Sequence, residues 1–253
     1  MKLIDTHCHL DDTLFDNDRD EILKHCSQLG INKIILPATK AKSWHKTIKI
    51  SEKYKETYLT LGLHPLFITE HKHTDLDRLK EFIASHNPVA IGEIGLDFFN
   101  KNTDKNKQID FFIKQLDIAN EHKLPVILHV RKAHDDILKL LEGFNIPGGS
   151  CHAFNGTLDQ AKRYIDLGFK LGFGGTLTYP NARKIHKLAK DIAIENIILE
   201  TDAPDMTGHA HKGERNSPEY LIDALNSLAA IKSMDVATIA DQTTKNAEAL
   251  FGI

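Results

Sequence analysis

Cysteine is scarce in this chain. Three cysteines, Cys8, Cys26 and Cys151, occur among 253 residues. This number is too small for a disulfide framework in a chain of this length, and pairing would leave one thiol over. The cysteine content therefore fits a reducing compartment, and we expect a cytoplasmic protein.

Long apolar runs are also missing. The chain has no extended uncharged apolar stretch, and no basic region followed by a hydrophobic segment precedes the first short apolar run. The sequence therefore predicts neither a membrane span nor a signal peptide. No linker, low-complexity tract or charge block interrupts it, so residues 1–253 are predicted to form one domain.

An excess of positive charge is absent as well. The 32 Lys and Arg residues are balanced by 35 Asp and Glu residues, which gives a net charge of -3 with neutral histidines. A nucleic acid would then be attracted by local cations or bound metal ions and not by the overall field. Composition alone neither requires nor excludes such a partner.

What the sequence does contain is a regular alternation of two patterns. Short runs rich in β-branched residues alternate with longer stretches of helical periodicity, such as 105–122, and 218–250 predicts two further helices. The short runs are 2–6, 33–37, 58–63, 89–93, 126–129, 149–152, 169–173 and 197–201. Eight such units in about 250 residues predict an α/β fold, a (β/α)8 TIM-type barrel.

An open doubly wound sheet is the alternative fold. That fold carries a Gly-x-Gly-x-x-Gly turn after its first strand when it binds dinucleotides. No such turn follows the first run here, and the glycines at 172, 174 and 175 form a tight turn without the rest of the motif. The barrel is therefore favoured.

Six potential metal ligands stand at the ends of the apolar runs. His7 and His9 are two positions apart, so in extended backbone both side chains project from one face. The other four are Glu93, His129, His152 and Asp202. Each histidine taken alone is better explained by a structural role. Because the carboxyl ends of barrel strands converge on one mouth, however, the six together predict a metal site.

Six ligands exceed the needs of one tetrahedral ion with an open position and suit two ions that share a carboxylate. Glu93 is the natural bridge. The predicted ligands of one ion are His7, His9, Glu93 and Asp202, and those of the other are Glu93, His129 and His152. The sequence does not choose among zinc, manganese, magnesium, nickel and iron, although mixed imidazole and carboxylate ligation suits magnesium least.

Asp202 has a second predicted role. A carboxylate at the last strand end can accept the proton of a metal-activated water as it attacks, so Asp202 is the candidate general base. The alternative is a helix N-cap before Ala203 and Pro204, because Asp favours caps.

Further residues near the predicted mouth are candidates for catalysis or orientation. His64, before Pro65, would bind a substrate oxygen or donate a proton to the leaving group, or else cap the loop. Asp97 would orient a ligand histidine or form an Asx turn. Phe98 and Phe99 would stack a base at the rim or pack the loop down, and we expect packing.

Cationic residues supply candidate substrate contacts. Arg131 lies two residues beyond His129 and would hold an anion by a bidentate contact, the alternative being a solvated loop arginine. The cation-rich segment 209–216 follows the eighth run, and its Lys212, Arg215 and Asn216 are predicted to contact a phosphate. A surface loop that happens to be charged is the alternative for this segment.

Six ordered motifs resemble the TatD family of metal-dependent hydrolases, often described as deoxyribonucleases, within the amidohydrolase-like barrel superfamily. They are Asp-Thr-His-Cys-His (5–9), Gly-Leu-His-Pro (62–65), Gly-Glu-Ile-Gly-Leu-Asp (92–97), Pro-Val-Ile-Leu-His (125–129), Cys-His-Ala-Phe (151–154) and Leu-Glu-Thr-Asp-Ala-Pro (199–204). Asp205-Met206, Gly-Gly-Thr (174–176) and Tyr179-Pro180 resemble the YjjV branch. One departure is Asn155, where many members carry a serine, and it bears on substrate contacts.

The resemblance implies an amidohydrolase-like barrel, a pair of divalent metal ions on the ligands named above and, as in several members, 3′–5′ exonuclease action on DNA. The leading prediction is therefore a two-metal phosphodiesterase with Asp202 as general base, and we assume a monomer. A metal-dependent ester or amide hydrolase, such as an aminoacyl-tRNA deacylase, is the second hypothesis. A non-catalytic binding protein that keeps the barrel is the third.

Overall fold

The structure is a computed structural model that describes residues 1–100 and 102–253. Its strands form one parallel sheet in which each strand pairs with the next along the chain, in the order β1 to β8. The strands are β1 Leu3–Asp5, β2 Ile31–Pro37, β3 Thr57–Leu61, β4 Ala90–Asp97, β5 Val126–Arg131, β6 Gly149–Cys151, β7 Phe169–Phe173 and β8 Ile197–Leu199.

Helices cover the outside of this sheet. In the described part of the chain they are α1 Arg19–Leu29, α2 Trp44–Lys53, α3 His73–His86, α4 Lys105–His122, α5 His134–Leu141, α6 Leu158–Asp166, α7 Arg183–Asp191, α8 Leu221–Lys232 and α9 Val236–Phe251. Short 3₁₀ helices lie at Thr13–Phe15, Pro65–Phe67, Gly175–Thr178, Ile194–Asn196, His209–His211 and Pro218–Tyr220. Among the described residues, no helix combines the length and the apolar character that crossing a bilayer requires.

The predicted barrel is confirmed, and the open sheet is wrong. The first and last strands are joined at their carboxyl ends, where the Thr6 amide donates to the Leu199 carbonyl at 3.0 Å. The Asp202 amide donates to the His7 carbonyl at 2.8 Å. These bonds bring the segments after β1 and β8 side by side, which places candidate ligands from opposite ends of the sequence at one point.

Several strands end at other residues than the sequence predicts. Strand β1 ends at Asp5, so His7 and His9 lie in the segment after it. Strand β4 continues through Asp97, so Glu93 is inside it and not at its end. The pairing of β4 with β5 shifts register between Ile91 and Ile94. This irregularity changes the alternation of side chains at Glu93, which periodicity alone does not reveal.

The core explains which end of the barrel carries the site. A second buried cluster combines strand residues with two residues of the last helix. Its members are Ile4, Ile35, Ala90, Ile127, Ile198, Ala247 and Phe251. Its strand residues alternate along each strand with those of the main core. Alternation along the strands places this cluster inside the barrel. Helix α9 therefore closes the amino-terminal end, and Thr244 bonds to the Lys2 carbonyl there at 2.8 Å. The other end is left for functional side chains.

Candidate metal centre

A cavity of about 690 Å³ opens at the carboxyl ends of the strands. Five of the six predicted ligands lie in its wall: His9, Glu93, His129, His152 and Asp202. The sixth, His7, is fully buried behind them. The fold thus brings together all six side chains that the sequence singled out.

Glu93 stands at the centre of this group, and its two oxygens face different histidines. Oε2 lies 3.2 Å from Nε2 of His7 and 3.8 Å from Nε2 of His9. Oε1 lies 3.1 Å from Nδ1 of His129 and 3.4 Å from Nε2 of His152. This is the arrangement that a carboxylate bridging two cations requires.

The ionisation of Glu93 follows from its neighbours. Burial raises the pKa of this carboxyl, but the surrounding imidazoles outweigh burial and hold the pKa well below its usual value; of these, the pKa values of His152 and His129 are raised, so they carry the positive charge. Glu93 is therefore a carboxylate at neutral pH and offers both oxygens as acceptors.

Asp202 completes the side of the group that contains the first two histidines. Its Oδ1 lies 3.6 Å from Nε2 of His7 and 3.5 Å from Nε2 of His9. The backbone of Asp202 is left-handed, with φ of 59°, a conformation that Asp tolerates better than most residues. Among the described residues no helix begins here, so Asp202 is not an N-cap, and its carbonyl accepts from the Asp205 amide at 2.9 Å.

Unpaired nitrogens of His7 show that this donor set fits a metal ion. Within the described chain, neither ring nitrogen of the fully buried His7 meets the geometry of a hydrogen bond, although Nε2 lies 3.2 Å from Glu93 Oε2. Burial and the neighbouring His152 lower the pKa of His7, so its ring is neutral. A buried polar atom without a partner is costly, and coordination of a cation by the neutral imidazole removes that cost.

Three groups of donor atoms lie close enough to hold an ion, with all atoms of a group within 4.8 Å of one another. The groups are His7, Glu93 and His152; His7, His9 and Asp202; and His64, Glu93 and His129. Among the described residues, none of these groups contains His129 together with His152, the two histidines predicted for the second ion. The ring of His152 stacks on His7 with centroids 4.0 Å apart, against 5.9 Å to His129.

His64 is buried and contacts Glu93 directly. Its Nδ1 accepts from the Leu66 amide at 3.1 Å, and burial lowers its pKa to about 4. The ring is therefore neutral, and its proton resides on Nε2, which donates to Glu93 Oε1 at 3.1 Å. The predicted contact of His64 with the substrate or leaving group would require this bond to break.

Asp97 makes both contacts that the sequence offered as alternatives. Its Oδ2 lies 3.1 Å from Nε2 of His129, whose other nitrogen faces Glu93. Its Oδ1 accepts from the Phe99 amide at 2.9 Å, which forms the Asx turn. Through Asp97 a candidate ligand and the loop after β4 are held by one carboxylate.

Glu200 is a site residue that sequence reasoning missed. It is 2% exposed, and its Oε1 lies 3.4 Å from Nδ1 of His152 and accepts from the Ala153 amide at 2.6 Å. A carboxylate behind a ligand histidine fixes the orientation of the ring. The only sequence signal was an acidic residue two positions before Asp202.

Asp5 was also missed, and it links the first and last strands. Its Oδ1 accepts from the amides of Thr201 at 3.0 Å and His7 at 3.2 Å, and its Oδ2 accepts from the Thr201 hydroxyl at 2.5 Å. Asp5 thus fixes the backbone from which His7 projects. Its signal was its place in the first motif, beside the two histidines.

Of the four residues predicted to hold an anionic part of the substrate, Arg131 is the one in the described chain that lies in the cavity wall. Asn216 is buried and donates to the carbonyls of Thr201 at 2.8 Å and Asp205 at 2.6 Å, so it holds the loop after β8. Arg215 pairs with Asp18 at 2.6 Å. Lys212 is exposed on the surface, and within the described residues these last three do not line the cavity.

Two lysines that sequence reasoning did not select, Lys40 and Lys46, line the cavity instead. Lys46 pairs with Asp16 at 3.0 Å. Lys40 lies over the Phe67 ring, with Nζ 3.9 Å from the centroid. Considering the described residues only, neither Lys40 nor Arg131 forms an ion pair with a carboxylate. Both cations are therefore available to an anion in the cavity.

Known proteins resemble this chain over nearly its whole length. Residues 4–252 match the family described as TatD related DNase. The uncharacterized metal-dependent hydrolase YjjV of Escherichia coli K12 is 36% identical over 255 residues, covering 100% of this chain and 98% of YjjV. YabD of Bacillus subtilis 168, also described as an uncharacterized metal-dependent hydrolase, is 34% identical and covers 99% of both chains.

Solved structures agree with this relationship. The crystal structure of YjjV from Escherichia coli superposes with a TM-score of 0.96 at 36% identity and covers 99% of this chain and 98% of that one. A TatD family hydrolase from Entamoeba histolytica has a TM-score of 0.86 at 23% identity, with the same coverage, and shows the shared fold. The sequence-based prediction is confirmed: this chain belongs to the TatD family and is a metal-dependent hydrolase resembling YjjV.

Proposed function

We propose that this protein is a two-metal phosphodiesterase that removes terminal nucleotides from DNA in the 3′–5′ direction. The observation that carries the proposal is the position of Glu93, whose two oxygens face separate sets of histidines. One cation would be held by His7, His9, Glu93 and Asp202. The other would be held by Glu93, His129 and His152.

The cations would supply the electrophilic part of the chemistry. A divalent metal ion such as zinc, manganese, magnesium, nickel or iron, held by these residues, would supply Lewis-acid chemistry for a phosphoryl oxygen, an attacking water and the leaving oxygen. The buried donors of this chain provide the dry, fixed surroundings in which these effects are large.

Asp202 is proposed as the general base. Its carboxylate lines the cavity, so an attacking water can reach it, and its Oδ1 faces His7 and His9. A base must lie within hydrogen-bond reach of the proton it removes, and Asp202 would meet this condition for a water held at the centre. The left-handed backbone at Asp202 turns the side chain into this position.

His64 is proposed as a positioning residue. Its Nε2 proton donates to the same Glu93 oxygen that faces His129 and His152. This bond fixes the rotation of the Glu93 carboxylate, on which both cation sites depend. In the same way, Asp97 orients the ring of His129 and Glu200 orients the ring of His152.

An anionic substrate fits the charges at the mouth. Arg131 and Lys40 line the cavity on opposite sides of Glu93 in the strand order, and both lack a carboxylate partner in the described chain. A phosphodiester is the anion that a two-cation centre and two unpaired side-chain cations suit together. The family is described as DNases, which supports DNA as the polymer. Lys212 remains a predicted contact to a substrate phosphate. A cytoplasmic location and a monomeric state also remain predictions.

The test is hydrolysis of single-stranded DNA labelled at its 5′ end by purified protein loaded with each metal in turn. We expect mononucleotides to be released from the 3′ end, and His129→Ala to abolish release. His122→Ala, at the other end of the barrel, is the matched control and should leave release unchanged. Full metal loading without cleavage would overturn the proposal.

A substrate panel separates this function from the ester and amide hydrolase hypothesis. DNA, aminoacyl-tRNA, and small ester and amide substrates are compared at one metal concentration. Our proposal predicts the highest kcat/KM for DNA. A higher value for aminoacyl-tRNA or an amide would show that the protein hydrolyses that bond instead, since one barrel fold supports several chemistries.

A further inference from the structure

Some exposed large apolar side chains lie at the cavity mouth. Of the six in the described chain, Leu66 and Met206 line the cavity, and Phe99 lies against Arg131, which also lines it. Single exposed apolar residues are ordinary, whereas apolar residues grouped at a cavity mark a surface that can contact a ligand. Phe99 is therefore a candidate for contact with a ligand in the cavity.

Phe99 differs from its neighbour Phe98 in this respect. Phe98 packs against the core, and Lys105 Nζ lies 4.6 Å from its ring centroid. Phe99 is 55% exposed. The prediction that both rings pack the loop down is thus correct for Phe98 and wrong for Phe99, because only the first ring points toward the core.

Arg131 lies on the ring of Phe99. The guanidinium carbon is 3.7 Å from the ring centroid, close enough for a cation–π contact. A guanidinium held flat on an aromatic ring keeps its N–H groups free at the edge, where they bind phosphate oxygens. Arg131 also lines the cavity, so the pair joins a flat surface to an anion-binding edge at the mouth.

This pair is fixed to the metal centre from two directions. Arg131 and His129 belong to the same strand, β5. The Asp97 carboxylate accepts from the Phe99 amide at 2.9 Å through one oxygen and lies 3.1 Å from His129 Nε2 through the other. A group stacked on the pair is therefore held at a defined distance from the reacting phosphodiester.

We propose that Phe99 and Arg131 form a stacking site for the nucleobase adjacent to the cleaved phosphodiester. This inference rests on the proposed function and narrows its substrate to a DNA strand whose terminal base is unpaired. An unpaired base offers a π-face to the ring, and any base does so, which predicts weak sequence preference. Arg131 would meanwhile contact the phosphate of the same nucleotide.

A fluorescence experiment tests the stacking site without catalysis. Phe99→Trp places an indole at the site, while Trp44, the only native tryptophan, is fully buried. We expect deoxyadenosine 5′-monophosphate to quench the new indole and 2-deoxyribose 5-phosphate not to quench it, with no response from the native protein. Equal quenching by both compounds, or by neither, would overturn the inference.

A kinetic experiment uses two oligonucleotides that differ only in whether the 3′-terminal nucleotide carries a base. Phe99→Ala should raise KM for the base-bearing strand about tenfold and leave KM for the abasic one unchanged, whereas Phe99→Trp should restore the preference. Leu29→Ala, an exposed apolar residue at the end of α1 away from the mouth, is the matched control. An undiminished preference in Phe99→Ala would contradict the inference. If the native, metal-loaded protein cleaved neither strand, the proposed function would fail, and the fluorescence result would still decide the stacking site.

Discussion

Gly172 on β7 leaves the space that the carboxylate of Glu200 occupies. A Cβ at Gly172 would lie 2.2 Å from Oε2 and 3.0 Å from Oε1 of Glu200. Oε1 is the atom that contacts His152 Nδ1 and the Ala153 amide. The lack of a side chain at Gly172 on β7 therefore lets Glu200 take up the position from which it orients His152, which follows β6.

Gly172→Ala should therefore displace Glu200 and release the ring of His152. We expect the affinity for the metal ion at His152 to fall about 10- to 100-fold, the usual effect of losing a carboxylate behind a ligand histidine. Titration against a competing chelator measures this affinity. Gly143→Ala is the control, because its Cβ would meet only one atom, at 3.4 Å. Wild-type metal affinity in Gly172→Ala would show that Glu200 does not support the site.

Asp97→Asn should weaken the centre through His129. The carboxylate lies 3.1 Å from Nε2 of His129 and holds the ring with its other nitrogen toward Glu93. An amide keeps the shape but removes the charge, so we expect metal affinity or kcat to fall about tenfold or more. Asp117→Asn on the exposed surface of α4 should change neither. Equal metal binding by both variants would contradict the role of Asp97.

Arg131 and Arg215 should behave differently although the sequence selects both as substrate contacts. Arg131→Gln should raise KM for single-stranded DNA about tenfold, because a charge-assisted bond to phosphate is lost. It should also reduce the salt dependence of binding by about 0.7 in the logarithmic slope. Arg215→Gln should leave KM unchanged, since Arg215 pairs with Asp18 at 2.6 Å outside the cavity. The reverse pattern would restore segment 209–216 as the phosphate contact.

Thr201→Val should destabilise the fold at the join of β1 and β8. The Thr201 hydroxyl donates to the buried Oδ2 of Asp5, and valine has the same shape without the donor. Burial raises the pKa of Asp5 to about 8, so this buried carboxyl is largely protonated at neutral pH, and leaving its oxygen without this partner should lower the free energy of unfolding by about 1–3 kcal/mol. Urea denaturation of the metal-free protein measures it, and Thr201→Ser, which keeps the hydroxyl, is the control. A Thr201→Val variant as stable as wild type would refute this account of the join.

The architecture was predictable because it depends on patterns that are local in sequence. The structure reproduces the predicted bounds of α4 (Lys105–His122) and β7 (Phe169–Phe173). Their periodicities, 3.6 and 2, are set by residues within each element. The convergence of Glu93, His129 and the other proposed ligands followed from the barrel, whose strands end at one mouth.

What the sequence could not supply depends on contacts between distant segments. Arg215 and Asp18 are 197 positions apart, and no local pattern indicates that they pair. Glu200 and Asp202 are two positions apart, but the left-handed backbone at Asp202 breaks the strand alternation, so their roles cannot be deduced from periodicity. Direct contact of His64 with Glu93 likewise depends on the packing of β3 beside β4.

Anomalous diffraction from a metal-soaked crystal tests the bridging role of Glu93. Two peaks are expected, each about 2.0–2.2 Å from a different oxygen of Glu93. One peak should lie beside His7 and His9, and the other beside His129. A single peak, or two peaks that both lack Glu93 as a ligand, would contradict the bridging role on which the proposed chemistry depends.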